Sequence, residues 1–445
     1  MQGSQFYLLS LGCAKNTVDS QSMTTLLNRA GYVLCDHPQE ADILVVNTCG
    51  FIKPAKEESF TELRRLAEGK GPDQILIAAG CLTQRYGEQV VSQVPGIDGL
   101  LGTQRWMDIL YVVQRLREGA EPRPLYHLPG SERIDTEPAD MSRIAVQGPS
   151  AYLKIADGCR RPCAFCAIPL IKGTTISRPR EAILEDASFL QELGVREVNL
   201  IAQDTSDYGH DLGIEDGLSI LLEDLVKAAP EIDWIRILYT YPGCVTDRLI
   251  GIMADHPQIV PYLDIPLQHG HPGVLRRMRR PENIEWVYRT IEKMRAVIPD
   301  LALRTTFIVG YPGETEGEFL ALLEFVEELR FDRVGVFNFS FEPGTSSESL
   351  GDPIPPEVKE ERRGRLMELQ QRISLEKNIA FIGQTLQVLV EGHGDGISLG
   401  RSTRDAPEID GMVIVEEEIP VGEMVPVRIT GAMPYDLTGV QLKKS

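Results

Sequence analysis

No apolar run in this 445-residue chain approaches the roughly 20 residues a helix needs to cross a bilayer, so no membrane-spanning helix is expected. The opening Met1-Gln2-Gly3-Ser4-Gln5 lacks the basic stretch of a secretory leader. Positive charge is also scarce: 45 Lys and Arg stand against 65 Asp and Glu, a net charge of −20 with His neutral. That balance disfavours broad binding to phosphate backbones and suits a basic protein partner. With 42% hydrophobic and 25% charged residues, the chain reads as a soluble enzyme of the reducing cytoplasm, long enough for two or three domains.

Six of the eight cysteines fall into two trios of different construction. Cys13, Cys49 and Cys81 are far apart, yet each follows a short apolar run: Tyr7-Leu8-Leu9, Ile43-Leu44-Val45-Val46 and Ile75-Leu76-Ile77-Ala78. Such runs read as buried strands, and the longer amphipathic stretch after each reads as a helix. Strand then helix, repeated, predicts a parallel sheet whose strands end on one edge, where open α/β sheets bind ligands. The three cysteines can therefore meet in one crevice. Structural zinc normally takes four protein ligands and disulfides pair an even number, so three thiolates favour a metal or iron–sulfur site with an open position. Separately buried, unrelated cysteines are the bland alternative. Cys35 and Cys244 have no such setting and read as packing residues.

The compact trio lies in Gly158-Cys159-Arg160-Arg161-Pro162-Cys163-Ala164-Phe165-Cys166. It lacks the fourth cysteine of a ferredoxin run and the second pair of a zinc knuckle, since the next cysteine is Cys244. Three thiolates in one loop can hold three irons of a cubane cluster and leave the fourth free. The spacing, placed after the strand-like Ala151-Tyr152-Leu153-Lys154-Ile155, resembles the radical S-adenosylmethionine (SAM) enzymes, whose free iron binds the amino and carboxylate groups of SAM.

Three domains of an α/β chain are expected. The first, residues 1–130, is the parallel-sheet domain. A Pro-rich connector runs from Glu121-Pro122-Arg123-Pro124 to Glu137-Pro138-Ala139-Asp140, with Pro129-Gly130-Ser131 inside it. Over 148–382, six strand-like runs (151–155, 197–201, 234–238, 262–265, 306–309 and 334–337) alternate with helical ones, which predicts a (βα)6 barrel open on one side. A long helix over about 356–381 closes this domain. From 383 to 445, β-prone runs at 386–390, 412–415 and 425–429 predict a small β-barrel of the oligonucleotide-binding sort.

Four further stretches carry two readings each. Gly310-Tyr311-Pro312-Gly313-Glu314-Thr315 either lets backbone approach a ligand or makes a tight strand-to-helix turn with Glu314 near the helix start. Gln203-Asp204-Thr205 follows a strand, where a barrel presents polar groups to a cofactor, and is favoured as functional. Gln268-His269-Gly270-His271 reads as a pocket-shaping turn rather than a metal site. Arg276-Arg277-Met278-Arg279-Arg280 can hold a phosphate or an acidic substrate residue, but a solvated helix face is the favoured reading.

The runs Ser10-Leu11-Gly12-Cys13-Ala14-Lys15-Asn16, Val46-Asn47-Thr48-Cys49-Gly50-Phe51-Ile52 and Ala79-Gly80-Cys81-Leu82 resemble the amino-terminal motifs of the methylthiotransferases. The radical SAM loop and a terminal barrel of the TRAM type complete that family's architecture, so the resemblance spans nearly the whole chain. Lys15-Asn16, Cys49-Gly50-Phe51-Ile52, Ile201-Ala202-Gln203-Asp204-Thr205, Leu263-Asp264-Ile265-Pro266-Leu267-Gln268-His269 and Asp405-Ala406-Pro407-Glu408-Ile409-Asp410-Gly411 are similar to the branch that modifies an aspartate of ribosomal protein uS12. The tRNA-modifying branch differs at these places. Two departures are Lys172, where the family usually has Arg, and Arg160-Arg161, where an acidic residue commonly follows the first cluster cysteine.

The resemblance implies two 4Fe-4S clusters and SAM, with all six cysteines as metal ligands. Cys159, Cys163 and Cys166 would hold the cluster that reduces SAM to a 5′-deoxyadenosyl radical. Cys13, Cys49 and Cys81, the catalytic trio, would hold a second cluster that carries the sulfur to be inserted. One SAM would methylate that sulfur and another would provide the radical that takes hydrogen from the aspartate β-carbon. Gln203, Asp204 and Thr205 are candidate SAM contacts, and an electron donor such as a flavodoxin or ferredoxin is required. The alternatives are a tRNA adenosine methylthiotransferase and a non-catalytic iron–sulfur protein. From Gly383 onward five basic residues stand against ten acidic ones, which suits a basic ribosomal protein and makes tRNA an unfavoured partner.

Overall fold

The computed structural model describes residues 4–119, 121–128 and 141–443. The chain forms two compact units, one of residues 1–145, 157–161 and 166–176, the other of 146–156, 162–165 and 177–445. The connector residues from Pro129 to Asp140 lie outside the described residues.

The first unit is built on the expected parallel sheet. Its strands are β1 (Gln5–Ser10), β2 (Val33–Leu34), β3 (Ile43–Thr48), β4 (Ile75–Gly80), β5 (Gly99–Gly102) and β6 (Leu125–His127), in the order β2-β1-β3-β4-β5-β6. Every residue of β3 and β4 is buried, because helices cover both faces of the sheet. Helices α1 (Ala14–Arg29) and α4 (Ile109–Arg117) bring Met23, Leu27, Val112 and Leu116 against Phe6, Val45 and Ile77. On the other face, α2 (Lys53–Gly69) and α3 (Cys81–Gln93) pack Leu63, Leu66 and Val90 on Leu44, Val46 and Leu76. The prolines around Leu125 predict that it lies in the connector. It instead opens edge strand β6, pairing in parallel with β5 and resting on the core.

The second unit contains all six expected strands of an open barrel: β8 (Ser150–Lys154), β11 (Glu197–Ile201), β12 (Trp234–Ile237), β13 (Ile259–Asp264), β14 (Ala302–Val309) and β15 (Arg333–Asn338). Two-residue strands β9 (Ala156–Asp157) and β10 (Ile176–Ser177) flank the cysteine loop. The sheet order is β15-β14-β13-β12-β11-β8-β7, so β7 (Ile144–Gln147) adds an unexpected edge strand and the sheet does not close. The long helix spans Pro356–Ile379. The terminal barrel is closed, β16 (Thr385–Gly394), β17 (Ile397–Arg401), β18 (Val413–Val415), β20 (Leu437–Gln441) and β19 (Met424–Ala432), around Val388, Val390, Val413, Val427 and Ile429. Strands β17 and β20 escape the sequence pattern because each carries a glycine where neighbouring strands press together. A Cβ on Gly400 would lie 2.4 Å from the Leu389 carbonyl, and one on Gly439 would lie 2.5 Å from Val427.

This terminal barrel is part of the second unit because the loop between β17 and β18 inserts charged side chains at the amino-terminal ends of the strands. Glu197, first in β11, pairs with Arg236 at 2.8 Å and with Arg401, which also reaches Ser150 Oγ at 3.0 Å. Arg404 pairs with Asp332 at 2.5 Å, Arg333 with Asp405, and the Tyr262 hydroxyl donates to Asp410 at 2.6 Å. Burial opposes ionisation of Glu197, yet Arg236 and Arg401 hold its pKa at about 2. Such buried charges persist because each is paired and hydrogen-bonded.

Candidate functional site

Strand register sets the first trio. Ser10 of β1 lies beside Asn47 of β3, and Thr48 beside Gly80 of β4, so all three strands end on one edge. Cys49 and Cys81 follow β3 and β4 immediately, and Cys13 is the N-cap of α1. Cys81 begins α3, so two of the three thiols sit at helix amino termini, where the helix dipole favours thiolate.

Close backbone packing brings these ends together. A Cβ on Gly12, whose φ is +95°, would lie 2.7 Å from Cys49 Cβ, and one on Gly50 would lie 2.6 Å from Leu82 Cα. Neither position tolerates a side chain. Buried amides then fix the turns. Asn16 Nδ2 donates to the Leu11 carbonyl at 2.9 Å and the Thr48 carbonyl at 3.1 Å. Asn47 Nδ2 donates to the Asn16 carbonyl and to Ser20 Oγ, both at 2.9 Å. Ser59 Oγ accepts from Cys49 N–H and donates to Cys49 C=O, each at 3.0 Å. Asn16 and Asn47 stood in the motifs quoted above without a role. Ser59, on α2 and ten residues from Cys49, carried no signal in the sequence.

Burial dominates the electrostatics. It pushes the Cys49 thiol up to about 11, with the charge of Cys13 adding to the effect. Cys81 rises to about 12, again through burial first, opposed by Lys172 and reinforced by Cys49 and Cys13. The three sulfurs thus sense one another. Lys172, buried on α5 (Ile168–Lys172), donates to Asp19 at 3.0 Å and to Asp157 at 3.3 Å. Asp19 also pairs with Arg143, whose guanidinium lies 3.9 Å from the Trp106 ring centre. Lysine at 172 therefore keeps the charge that the resemblance led one to expect from arginine.

Among the described residues, no three His, Cys, Asp or Glu side chains close around a single metal ion. A cluster sets a different requirement, because each of its ligands binds a separate iron. Three thiols on one sheet edge, close enough for the charge of each to act on the others, are the donor set that a 4Fe-4S cluster with one iron not held by protein would take. Iron would supply the positive charge that thiolate at the buried Cys49 and Cys81 needs, while Cys13 is exposed.

The second trio lies on the loop after β8. A Cβ on Gly158, at φ +76°, would lie 2.1 Å from the Thr174 carbonyl, and Cys159 N–H donates to Gly173 at 3.0 Å. Further along the loop, Ala164 N–H donates to Met278 at 2.9 Å and its carbonyl accepts from Ser347 N–H at 2.8 Å. Cys163 Sγ accepts from Arg280 Nη1 at 3.6 Å. All three thiols of this loop are partly exposed.

The remaining candidates separate by their contacts. Thr205 is buried, with its hydroxyl donating to the Leu238 carbonyl at 2.7 Å, and Asp204 accepts from Ser206 Oγ at 2.5 Å. Both hold the turn after β11, and Gln203 beside them is half-buried. Glu314 is buried against Arg362 at 3.2 Å, while Thr315 and Glu318 form a capping box, so the Gly310 stretch makes a strand-to-helix turn. His269 Nδ1 accepts from His271 N–H at 2.9 Å, and His271 caps the helix Pro272–Arg277. The arginine run is not one helix face. Arg276 and Arg279 are exposed, Arg277 binds Glu318 at 2.9 Å, and Arg280, beyond the helix end, turns inward.

Family models match in three segments: the uncharacterized protein family UPF0004 over residues 5–102, the radical SAM superfamily over 153–326 and the TRAM domain over 382–441. The ribosomal protein uS12 methylthiotransferase RimO of Chloroflexus aurantiacus is 47% identical over 98% of this chain and 100% of the relative. RimO of a Roseiflexus species is 47% identical over 98% of this chain and 96% of its own. The structure of the radical SAM methyltransferase TsrM from Kitasatospora setae, with cobalamin and a 4Fe-4S cluster bound, aligns at a TM-score of 0.57 and 13% identity. That alignment covers 90% of this chain and 77% of TsrM, and shows a shared fold.

Proposed function

This chain belongs to the RimO family of radical SAM methylthiotransferases, and we propose that it adds a methylthio group to the β-carbon of an aspartate in ribosomal protein uS12. The observation that carries this reading is the convergence of Cys13, Cys49 and Cys81 on one sheet edge, in a chain that also holds the radical SAM loop. When bound, the cluster at Cys159, Cys163 and Cys166 supplies with SAM the radical that opens an unactivated C–H bond, and the cluster at the other trio supplies sulfur.

The chain's own residues hold and shape these sites. Asn16, Asn47 and Ser59 fix the positions from which Cys13 and Cys49 ligate. Cys49 and Cys81 lie buried on this edge, with Cys13 at its exposed side. Gln203, after β11, is the proposed SAM contact, with Asp204 and Thr205 holding its turn.

The terminal barrel favours a basic protein over tRNA. Arg401, Arg404, Asp405 and the Asp410 side chain are spent in the buried network. What faces solvent includes Asp395, Glu408, Glu416, Glu418 and Glu423, against Arg428 and Lys443. Such a surface repels a phosphate backbone and attracts cationic segments. Among the described residues no helix is long and apolar enough to cross a membrane. Action on a ribosomal protein is what makes the cytoplasm the proposed location. A flavodoxin or ferredoxin is the proposed reductant.

Mass spectrometry of cells with and without the protein tests this function. Its loss should remove a methylthio increment from uS12 and leave tRNA nucleosides unchanged. A loss confined to tRNA would establish the adenosine-modifying alternative, and no change in either would refute both.

A further inference from the structure

We propose that Arg280 is a positioning residue for the radical SAM cluster, raising its reduction potential through a charged hydrogen bond to the sulfur of Cys163. The proposal rests on the reading of Cys159, Cys163 and Cys166 as cluster ligands.

Arg280 is 9% exposed and lies just past the helix Pro272–Arg277, ahead of Pro281. Its three contacts hold the guanidinium plane. Nη1 donates to Cys163 Sγ at 3.6 Å, Nη2 donates to the Pro266 carbonyl, and the carbon of the fork stands 4.3 Å from the Tyr241 ring centre. Nε has no hydrogen-bond partner among the described residues. These contacts are a sulfur, a carbonyl and a ring face, and no carboxylate is among them. A buried cation is costly without a counter-charge. The net negative charge of a thiolate-ligated cluster would provide one.

Reduction of the cluster adds one electron, and a fixed positive charge beside a ligand sulfur stabilises the reduced form. Hydrogen bonds to sulfur and local charge are established determinants of cluster potential. Arginine suits the place better than lysine. One planar group spans sulfur and carbonyl while stacking on Tyr241, whereas an ammonium offers no such plane.

The test uses full-length protein with Cys13→Ala, Cys49→Ala and Cys81→Ala, so that one cluster remains. Its midpoint potential is read by redox titration with electron paramagnetic resonance. Arg280→Met should make reduction at least tenfold less favourable, about 59 mV lower for one electron. Arg280→Lys should shift in the same direction by less, and Arg279→Met, which removes an exposed cation one residue away, should not shift it. A potential in Arg280→Met within twofold of the parent overturns the proposal, as does an equal shift in Arg279→Met. If Arg280→Met does not retain a folded cluster, Arg280→Lys decides, and a parental potential there overturns it. Failure of the cysteine assignment is seen separately, as iron retained after Cys159, Cys163 and Cys166 are also replaced.

Discussion

Asn16 is the residue whose replacement most directly tests how the first trio is held. Its buried amide donates to the carbonyls of Leu11 and Thr48, joining the loop that carries Cys13 to the strand end that carries Cys49. Asn16→Ala removes both donors and leaves two carbonyls short of a partner in a dry interior. Each buried hydrogen bond lost in this way costs about 1–2 kcal/mol, so local opening should become about 2–4 kcal/mol easier. Hydrogen exchange followed by mass spectrometry reads that directly. Peptides covering residues 8–16 and 45–50 should exchange roughly 30- to 700-fold faster, while those over β16 should not change. Asn16→Asp is the sharper variant, because an acceptor then faces two acceptors in place of a donor. It should open at least as readily as Asn16→Ala and lose iron from the first trio on gel filtration. Parental exchange rates in Asn16→Asp would refute the account of these two hydrogen bonds.

Two other outcomes follow from the same geometry. Replacing Cys13, Cys49 and Cys81 with Ala should remove about four irons and leave reductive cleavage of SAM intact, whereas replacing Cys159, Cys163 and Cys166 should abolish cleavage; failure of the first variant to cleave SAM with its remaining cluster intact would show the roles misassigned. His269 is fully buried, and burial, with His271 adding, depresses its pKa to about 3. The unfolded imidazole takes its proton near 6.5, so the stability it contributes is complete above that pH and declines as pH falls toward 3. Between pH 7 and 5 the loss is about 2 kcal/mol, and His269→Gln should abolish that part of the pH dependence of the urea midpoint. An unchanged pH dependence in the variant would show that His269 does not titrate as its burial requires.

Much of the architecture was legible because it depends on local pattern. Apolar runs ending at Leu9, Val46 and Ala78 announced strands, and parallel topology then obliged the residues after them to share an edge. The two-layer covering of β3 and β4 follows from their unbroken apolar sequence. Strands β17 and β20 were obscured because Gly400 and Gly439 serve close packing, which interrupts the alternation that marks a strand. β6 was obscured by the prolines ahead of it.

Sequence by itself determined which residues could ligate iron and on which edge the separated cysteines would lie, since thiol chemistry and strand polarity are properties of the chain. It determined the acidic character of the terminal barrel as well. Tertiary structure alone decided which polar residues support those cysteines. Ser59 reaches Cys49 across a helix, and Arg280 reaches Cys163 from more than one hundred positions away. It also decided that Arg401, Arg404, Asp405 and Asp410 are spent inside the fold, so the acidic surface of the barrel is carried by other residues, Asp395, Glu408, Glu416, Glu418 and Glu423 among them. The reason is physical: a side chain's chemistry is fixed by its type, but the charge or hydrogen bond it presents depends on what folding places within about 3 Å of it.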